Sequence, residues 1–313
     1  MRRDPSPVLL VREELRRSET AGEHALSIGV FDGVHEGHRM LVRRLIAEAQ
    51  ARGLGTGIIT FHPHPITVVR PDVSFSYLDS LERRVELLRE LGIDFVSVLQ
   101  FTSELQQVSA YDFVRLLVEE AGLRLLVVGD DFHLGRGREG DTERLREFGQ
   151  DLGFEVIALP LLQSDADRVS STRVRNALAA GEMGEVATLL GRPFALRGPV
   201  LHGDERGRKL NFPTLNIGVA ADRALPPNGV YVTRAHVAGG DYNAVTNIGT
   251  QPTFDGATRR VETHLLDFEG DLYGQVASID LLHRIREERK FAGVDELVAQ
   301  MKRDLQTTRE WFA

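Results

Sequence analysis

The chain contains no cysteine. This absence excludes disulfide bonds, thiolate catalysis and cysteine-ligated zinc. Long apolar runs are also missing, because no stretch approaches the roughly 20 residues that a membrane span needs. The apolar run of residues 8–11 is too short for the core of a signal peptide. We therefore expect a cytoplasmic protein that has no membrane partner.

An excess of positive charge is likewise lacking, since the formal net charge is -8. A general nucleic-acid binder would present a basic face, so we expect no nucleic-acid partner. A small anionic nucleotide remains compatible with this charge. With 313 residues the chain is long enough for two domains. The composition leaves the oligomeric state open.

Residues 29–38 read GVFDGVHEGH and stand between two predicted elements. An apolar run over residues 26–31 predicts a strand, and apolar residues at helical spacing predict a helix over residues 39–51. The backbone N–H groups at such a helix start favour phosphate. Two imidazoles spaced as HxGH could donate hydrogen bonds to a reacting phosphoryl group. Nucleotidyl transfer is the first hypothesis, and two surface histidines beside a glycine-rich turn are the open alternative.

The strand–helix pattern repeats through the first half of the chain. Further strands are predicted over residues 57–61, 95–99, 125–128 and 154–159. Helices are predicted from Leu81 with Asp79 as the cap, from Ser109 to Gly122, and over residues 142–152. This alternation predicts an α/β fold with a doubly wound parallel sheet.

Loops at the carboxyl ends of these strands are where such folds bind ligands. Three of them carry candidate residues: residues 61–65 (FHPHP), residues 129–135 with Asp131, and residues 169–175 (VSSTRVR). Ser171 is a plausible N-cap. The hydroxyls there, with an arginine one turn on, also make a second phosphate cradle. A stiff turn and an ordinary helix cap are the structural alternatives.

The second half of the chain changes character. Short strand-like runs over residues 195–201, 229–237, 242–248, 260–268 and 277–282 predict a small antiparallel barrel or sandwich. A C-terminal helix carries an apolar stripe from Val294 to Leu305, which we expect to pack against the barrel. We assign residues 1–185 to the first domain and residues 186–313 to the second, with a helical linker near residue 190.

Residues 203–216 lack the GxxxxGK[ST] pattern of a P-loop. A basic, glycine-containing loop followed by Thr214 and Asn216 is nevertheless reasonable chemistry for ATP with Mg²⁺. An exposed charged hairpin is the alternative. Glu262, read alone, is a solvent-facing strand glutamate.

The combined motifs resemble one family over most of the chain. GVFDGVHEGH is similar to the HxGH nucleotidyltransferase superfamily, in particular to the adenylyltransferase half of bacterial bifunctional riboflavin kinase/FAD synthetases. The loops after residues 60, 129 and 169 resemble that family's TFxPxP, GxDFxFG and SSTxIR motifs, with Leu134 in place of the second Phe. Residues 203–216 resemble the kinase pattern GxxxGRxLGFPTxN, with Asn211 at a position that is often Gly. Residues 261–268 match VETHLLDF.

The resemblance implies two activities: a C-terminal domain that phosphorylates riboflavin to FMN with MgATP, and an N-terminal domain that adenylylates FMN to FAD. It implies Glu262, His35 and His38 as catalytic residues, and Thr214 and Asn216 as magnesium ligands. The nucleotide-binding residues that it implies are Gly29, Phe31, Asp32, Gly33, His35, His38, Asp131, Ser171, Thr172, Arg175, Gly207, Lys209 and Thr214. The flavin-binding residues that it implies are Phe61, His62, Pro63, Pro65 and Asp131.

Two other functions stay open. One is an HxGH nucleotidyltransferase that acts on another phosphate acceptor, such as nicotinamide mononucleotide or phosphopantetheine, with the barrel as a flavin-binding regulatory domain. The other is a flavin-binding regulator that has lost its chemistry. A class I tRNA synthetase is disfavoured because the chain has no KMSKS string.

Overall fold

A computed structural model describes residues 7–17, 21–160, 162–164, 167–202, 212–253 and 256–313. Its backbone contacts divide the chain into two compact units, residues 1–171 and residues 172–313. The division falls at the start of a helix, and the predicted boundary between residues 185 and 186 stays a prediction. Within the described residues, no helix is long and apolar enough to cross a membrane.

The first unit is built on a five-stranded parallel sheet. Its strands are β1 (His24–Ile28), β2 (Gly55–His62), β3 (Phe95–Gln100), β4 (Leu123–Gly129) and β5 (Glu155–Leu159), in the order β3-β2-β1-β4-β5. Its helices are α1 (Pro7–Arg16), α2 (Glu36–Arg52), α3 (Pro65–Val69), α4 (Leu81–Glu90), α5 (Ala110–Ala121) and α6 (Thr142–Leu152). A short pair, β6 (Gln163–Ser164) and β7 (Asp167–Arg168), follows β5. The predicted parallel α/β fold is confirmed.

The sheet is covered on both faces, as its apolar strands predict. Leu26 and Leu126 belong to one buried cluster with residues of α1 and α5, whereas Ala25 and Leu125 belong to another with residues of α2 and α4. Neighbouring residues of a strand point to opposite faces, which explains this division. Both faces of the central strands are therefore covered by helices.

Of the helix caps predicted from the sequence, those of α5 are confirmed and two others differ. Ser109 accepts from the N–H of Asp112, and Gly122 ends α5 in the left-handed conformation, as predicted. The predicted Asp79 cap is wrong: Ser80 accepts from the N–H of Arg83 at the start of α4, because Asp79 lies buried one residue earlier. Ser171, expected as an N-cap, is instead the first residue of its helix. Its hydroxyl donates to the carbonyl oxygen of Asp32 at 2.8 Å.

In its described residues, the second unit contains two helices, a closed six-stranded barrel and a C-terminal helix. The helices are α7 (Ser171–Ala180), whose first residue belongs to the first unit, α8 (Met183–Leu190) and α9 (Val294–Phe312). The strands are β8 (Phe194–Leu201), β9 (Leu215–Ile217), β10 (Gly229–Val237), β11 (Gly240–Thr253), β12 (Gly256–Leu265) and β13 (Val276–Glu287). They close in the order β10-β11-β12-β9-β8-β13, and all pairs are antiparallel. The barrel is confirmed over the sandwich, and β9 is a strand that the sequence did not predict.

The barrel interior contains a polar row as well as apolar side chains. The hydroxyls of Thr233, Thr246 and Thr263 form a chain of hydrogen bonds, each 2.9 Å long, and all three residues are fully buried. Because residues alternate between the two faces of a strand, the flanking Asn247 and Glu262 lie on the outer face of the barrel wall. The stripe of α9 differs in part from the prediction: Val294 is 59% exposed.

Candidate active sites

The turn between β1 and α2 has a constrained backbone. Phe31 and Val34 have φ of 55° and 38°, in the left-handed region that non-glycine residues rarely occupy, and Gly33 has φ of 84°. The Val34 N–H donates to the Phe31 carbonyl at 3.1 Å, and the Gly29 N–H donates to the Ile59 carbonyl at 3.0 Å. Such strain persists only where the surroundings enforce it, and it is common at active sites.

His35 and His38 form a stacked pair at the N-terminus of α2. His35 caps the helix, since its Nδ1 accepts from the backbone N–H of His38 at 3.3 Å. A neutral ring whose Nδ1 accepts carries its proton on Nε2. The two ring centroids are 3.7 Å apart, with an angle of 15° between the ring planes. The HxGH spacing therefore presents two imidazoles at one helix start.

Burial lowers the pKa of His38 well below its usual 6.5, and the charges of His35, Arg84 and Arg168 lower it further. His38 is therefore neutral at pH 7. Its Nδ1 is buried and has no hydrogen-bond partner among the residues that the structure describes. A neutral ring suits this position, because a protonated Nδ1 would be a buried donor without an acceptor.

A cavity of about 260 Å³ opens beside this pair, at the carboxyl ends of β1, β4 and β5. The predicted site residues that line it are Gly29, Phe31, His35, His38, Asp131 and Ser171. Arg168 also lines it and pairs with Asp131 at 2.6 Å. Sequence reasoning missed Arg168, although it stands three residues before Ser171 in the same loop.

Two of the predicted nucleotide-binding residues, Asp32 and Gly33, do not line this cavity. Asp32 is 1% exposed, and its carboxylate accepts from the N–H groups of Leu78 and Asp79 at 3.0–3.2 Å. Its carbonyl oxygen accepts from Ser171. Asp32 thus joins the turn to two other segments of the first unit, and its predicted contact with a nucleotide stays a prediction.

Four flavin-binding candidates, at the end of β2 and in the segment after it, also stand apart from the residues that line this cavity. Phe61 packs on Phe101 with ring centroids 5.7 Å apart, and His62 lies 5.7 Å from the ring of Tyr77. Pro63 precedes α3, and Pro65 is the first residue of that helix. Thr172 and Arg175 lie on α7 within the second unit. The ligand contacts of these residues stay predictions.

A second cavity, of about 470 Å³, lies between the outer face of the barrel and α9. Glu262 and Thr214 both line it. Glu262 of β12 stands directly opposite Asn216 of β9 and directly opposite Asn247 of β11. Opposite residues of antiparallel strands share a face, so the carboxylate and the two amides form one row. The structure thereby brings Thr214, Asn216 and Glu262 to one region.

The segment before β9 is held against β12. The ring of His264 contacts the carbonyl oxygen of Pro213 through Nδ1 at 2.8 Å, and it packs edge-on to Phe212 with centroids 5.8 Å apart. These contacts hold the two residues before Thr214 against β12. The predicted nucleotide-binding residues Gly207 and Lys209, and Asn211, lie outside the described residues.

Helix α9 is held over the second cavity by a partly buried ion pair that the sequence did not predict. Arg286 donates to both carboxylate oxygens of Asp304 over 2.8–3.1 Å, and Gln300 donates to the same carboxylate at 2.7 Å. With this anchor in place, Leu297 and Met301 line the cavity. The apolar stripe of α9 therefore faces a binding space as well as the barrel wall.

Two family models match the chain in succession. The model described as FAD synthetase matches residues 17–173, and the model described as riboflavin kinase matches residues 190–312. The bifunctional riboflavin kinase/FMN adenylyltransferase of Escherichia coli (strain K12) is 40% identical over 289 residues, which cover 92% of each chain. The protein of the same name from Bacillus subtilis (strain 168) is 32% identical over 311 residues, which cover 98% of this chain and 96% of the relative.

The match to a solved structure extends over nearly the whole chain. A crystal structure described as a macrolide-efflux protein from Streptococcus pneumoniae has a TM-score of 0.86 and 31% sequence identity to this chain. The superposition covers 93% of this chain and 95% of that one. The match shows that both units of the fold recur together in another protein.

Proposed function

Because the chain belongs to the family of bifunctional riboflavin kinases/FMN adenylyltransferases, we propose that each of the two cavities described above performs one of the two reactions. The protein phosphorylates riboflavin to FMN and adenylylates FMN to FAD, with ATP as the co-substrate of both steps. The observation that carries the assignment is the grouping of side chains: an imidazole pair lines the first cavity, and a carboxylate beside Thr214 lines the second.

In the first cavity, a phosphate oxygen of FMN attacks the α-phosphorus of ATP, and the bond to the leaving pyrophosphate breaks. His35 and His38 donate N–H groups to the α-phosphoryl oxygens, where negative charge grows in the transition state. The N-terminus of α2 adds its partial positive charge. Arg168 holds the leaving phosphates. The reaction needs no covalent enzyme intermediate, so positioning and charge stabilisation supply the catalysis.

In the second cavity, Glu262 accepts the proton of the ribityl 5′-hydroxyl as that oxygen attacks the γ-phosphorus of ATP. The bond from the γ-phosphorus to the ADP oxygen breaks, and ADP leaves. The volume of about 470 Å³ lies in the range of small-molecule sites. The isoalloxazine ring packs against the apolar side chains of α9 that line this space.

The donor set near Glu262 fits magnesium. Thr214 offers a hydroxyl and Asn216 an amide oxygen, and Mg²⁺ prefers oxygen ligands, with the substrate phosphates completing its coordination. The register that sets Asn216 opposite Glu262 supports this assignment. When bound, the ion neutralises charge on the ATP phosphates.

The direct test follows flavin products over time. Purified protein with riboflavin and MgATP is sampled by chromatography, and we expect FMN to appear first and FAD to follow. FMN as the sole product would leave the first cavity without its proposed reaction. The absence of any flavin product would contradict both assignments and direct attention to the other phosphate acceptors.

A further inference from the structure

Arg84 is the largest side chain among the fully buried residues of the first unit, and the proposed mechanism does not use it. It lies on α4 and is 1% exposed. Arginine is almost never fully buried unless it is paired. Burial lowers the pKa of Arg84, and the nearby charges of Asp32 and Asp79 oppose that change. Because burying a charge is energetically costly, the position of Arg84 points to a specific function.

The guanidinium of Arg84 joins the turn after β1 to the carboxyl end of the neighbouring strand β2. One Nη donates to the carbonyl oxygen of Val30 at 2.7 Å, and the other donates to the carbonyl oxygen of Phe61 at 3.4 Å. Val30 stands between β1 and the strained turn, and Phe61 is the next-to-last residue of β2. The Thr60 hydroxyl donates to the same Val30 oxygen at 3.0 Å. Arg84 of α4 thus stabilises the strained turn through its hydrogen bond to Val30.

The charge of Arg84 also acts on the catalytic pair. It is among the charges that lower the pKa of His38, together with those of His35 and Arg168. A fixed cation behind a neutral imidazole favours the anionic phosphoryl group in front of it. Arg84 therefore influences both the geometry and the protonation state of the pair without lining the cavity.

We propose that Arg84 is a positioning residue for adenylyl transfer, which holds the carbonyls of Val30 and Phe61 so that the turn presents His35 and His38 to the α-phosphoryl group. The inference rests on the proposed roles of the two histidines. Because Arg84 acts through the turn, its loss should lower kcat for adenylylation more than it changes the affinity for FMN or ATP. Riboflavin phosphorylation, which takes place in the other unit, should be unaffected.

The test compares Arg84→Met and Arg84→Lys, with Arg83→Met as the matched control. Arg83 is the neighbouring helix residue, and its guanidinium pairs with Glu86 and Glu90 near the surface. We expect Arg84→Met to lower kcat for FMN adenylylation by about tenfold or more, since small misplacements of catalytic groups cost up to about 10²-fold. KM for FMN and ATP should change by less than about threefold. Arg84→Lys, which keeps the charge, should recover part of kcat, and Arg83→Met should match the wild type.

A spectroscopic readout separates positioning from mere structural support. In ¹⁵N NMR titrations, the pKa of His38 should rise in folded Arg84→Met, because a neighbouring positive charge is removed, and it should stay unchanged in Arg83→Met. If Arg84→Met does not fold, Arg84→Lys and Thr60→Val carry the test, and each should lower kcat. Wild-type kcat in these variants, or a raised KM with unchanged kcat, would overturn the proposal.

The parallel variant His38→Gln keeps this proposal distinct from the proposed function. If His38→Gln retains adenylylation, the role given to His38 is wrong. If His38→Gln loses adenylylation while folded Arg84→Met keeps wild-type kcat and an unchanged His38 pKa, the role of Arg84 is wrong and that of His38 stands.

Discussion

Replacing Asp304 by Asn tests the ion pair that anchors α9 over the second cavity. Asp304 is 3% exposed and accepts three hydrogen-bond contacts from Arg286 and one from Gln300. The substitution removes the negative charge and keeps one acceptor oxygen. Arg286 then remains opposite a neutral amide, with only 20% of its side chain exposed to water.

The expected loss of stability follows from the low exposure of the pair, since Asp304 is buried and Arg286 is partly buried. Removing one partner of a buried ion pair costs about 3–5 kcal/mol. The retained acceptor and the partial hydration of Arg286 reduce this value, so we expect a loss of about 2 kcal/mol in the free energy of unfolding of the second unit. For a unit of this size, such a loss lowers Tm by about 6 °C.

The same change should weaken riboflavin binding. Leu297, Met301 and Leu305 line the cavity from α9, and a loosened helix must order them when the flavin binds. Ordering one such side chain costs about 0.5–1.5 kcal/mol, and 1.4 kcal/mol is a factor of ten in affinity. We therefore expect KM for riboflavin to rise by about tenfold in Asp304→Asn.

The assay pairs thermal unfolding with steady-state kinetics of both reactions. Asp295→Asn is the matched control, since this residue lies exposed in the first turn of the same helix. It should leave both the Tm and the riboflavin KM unchanged. An unchanged Tm together with an unchanged riboflavin KM in Asp304→Asn would refute the anchoring role. Adenylylation of supplied FMN should stay at the wild-type rate.

Two further predictions concern packing and protonation. Gly198→Ala should destabilise the barrel by more than about 2 kcal/mol, because the new Cβ would lie 1.9 Å from the Gly218 carbonyl oxygen. Gly184→Ala, in open space on α8, should instead stabilise the unit by about 0.5–1 kcal/mol, and denaturant unfolding of both variants distinguishes these outcomes. His38 should stay neutral in NMR titrations as the pH falls through 6.5, since burial lowers its pKa. The first unit should lose stability below that pH, because the unfolded chain binds a proton that the folded chain does not; a measured pKa at or above 6.5 would contradict this account.

Local patterns predicted most of the first unit. Apolar runs that alternate with helical segments located all five strands of the parallel sheet. Ser109 and Gly122 marked the ends of α5. Ser80 caps α4 because Asp79 lies in the interior, where its N–H donates to the carboxylate of Asp32. Two polar residues in succession offer equivalent caps in the sequence, and tertiary contacts decide between them.

Long-range contacts explain what the sequence did not predict. Arg83 and Arg84 are adjacent in the chain, yet Arg83 pairs near the surface and Arg84 is buried. Likewise, Asp304 looks like a solvent-facing helix residue until β13 brings Arg286 against it. Strand β9 has only three residues, too few for an alternating pattern to show. Its pairing with β12 is nevertheless what sets Asn216 opposite the base candidate.

The central claim is that the two reactions use separate residues in separate cavities. The most direct measurement compares His38→Gln and Glu262→Gln in two assays, phosphorylation of riboflavin and adenylylation of supplied FMN. His38→Gln should slow adenylylation by about 10²-fold and leave phosphorylation at the wild-type rate, and Glu262→Gln should show the reverse. If either folded variant loses both activities equally, or loses neither, the division of labour is wrong.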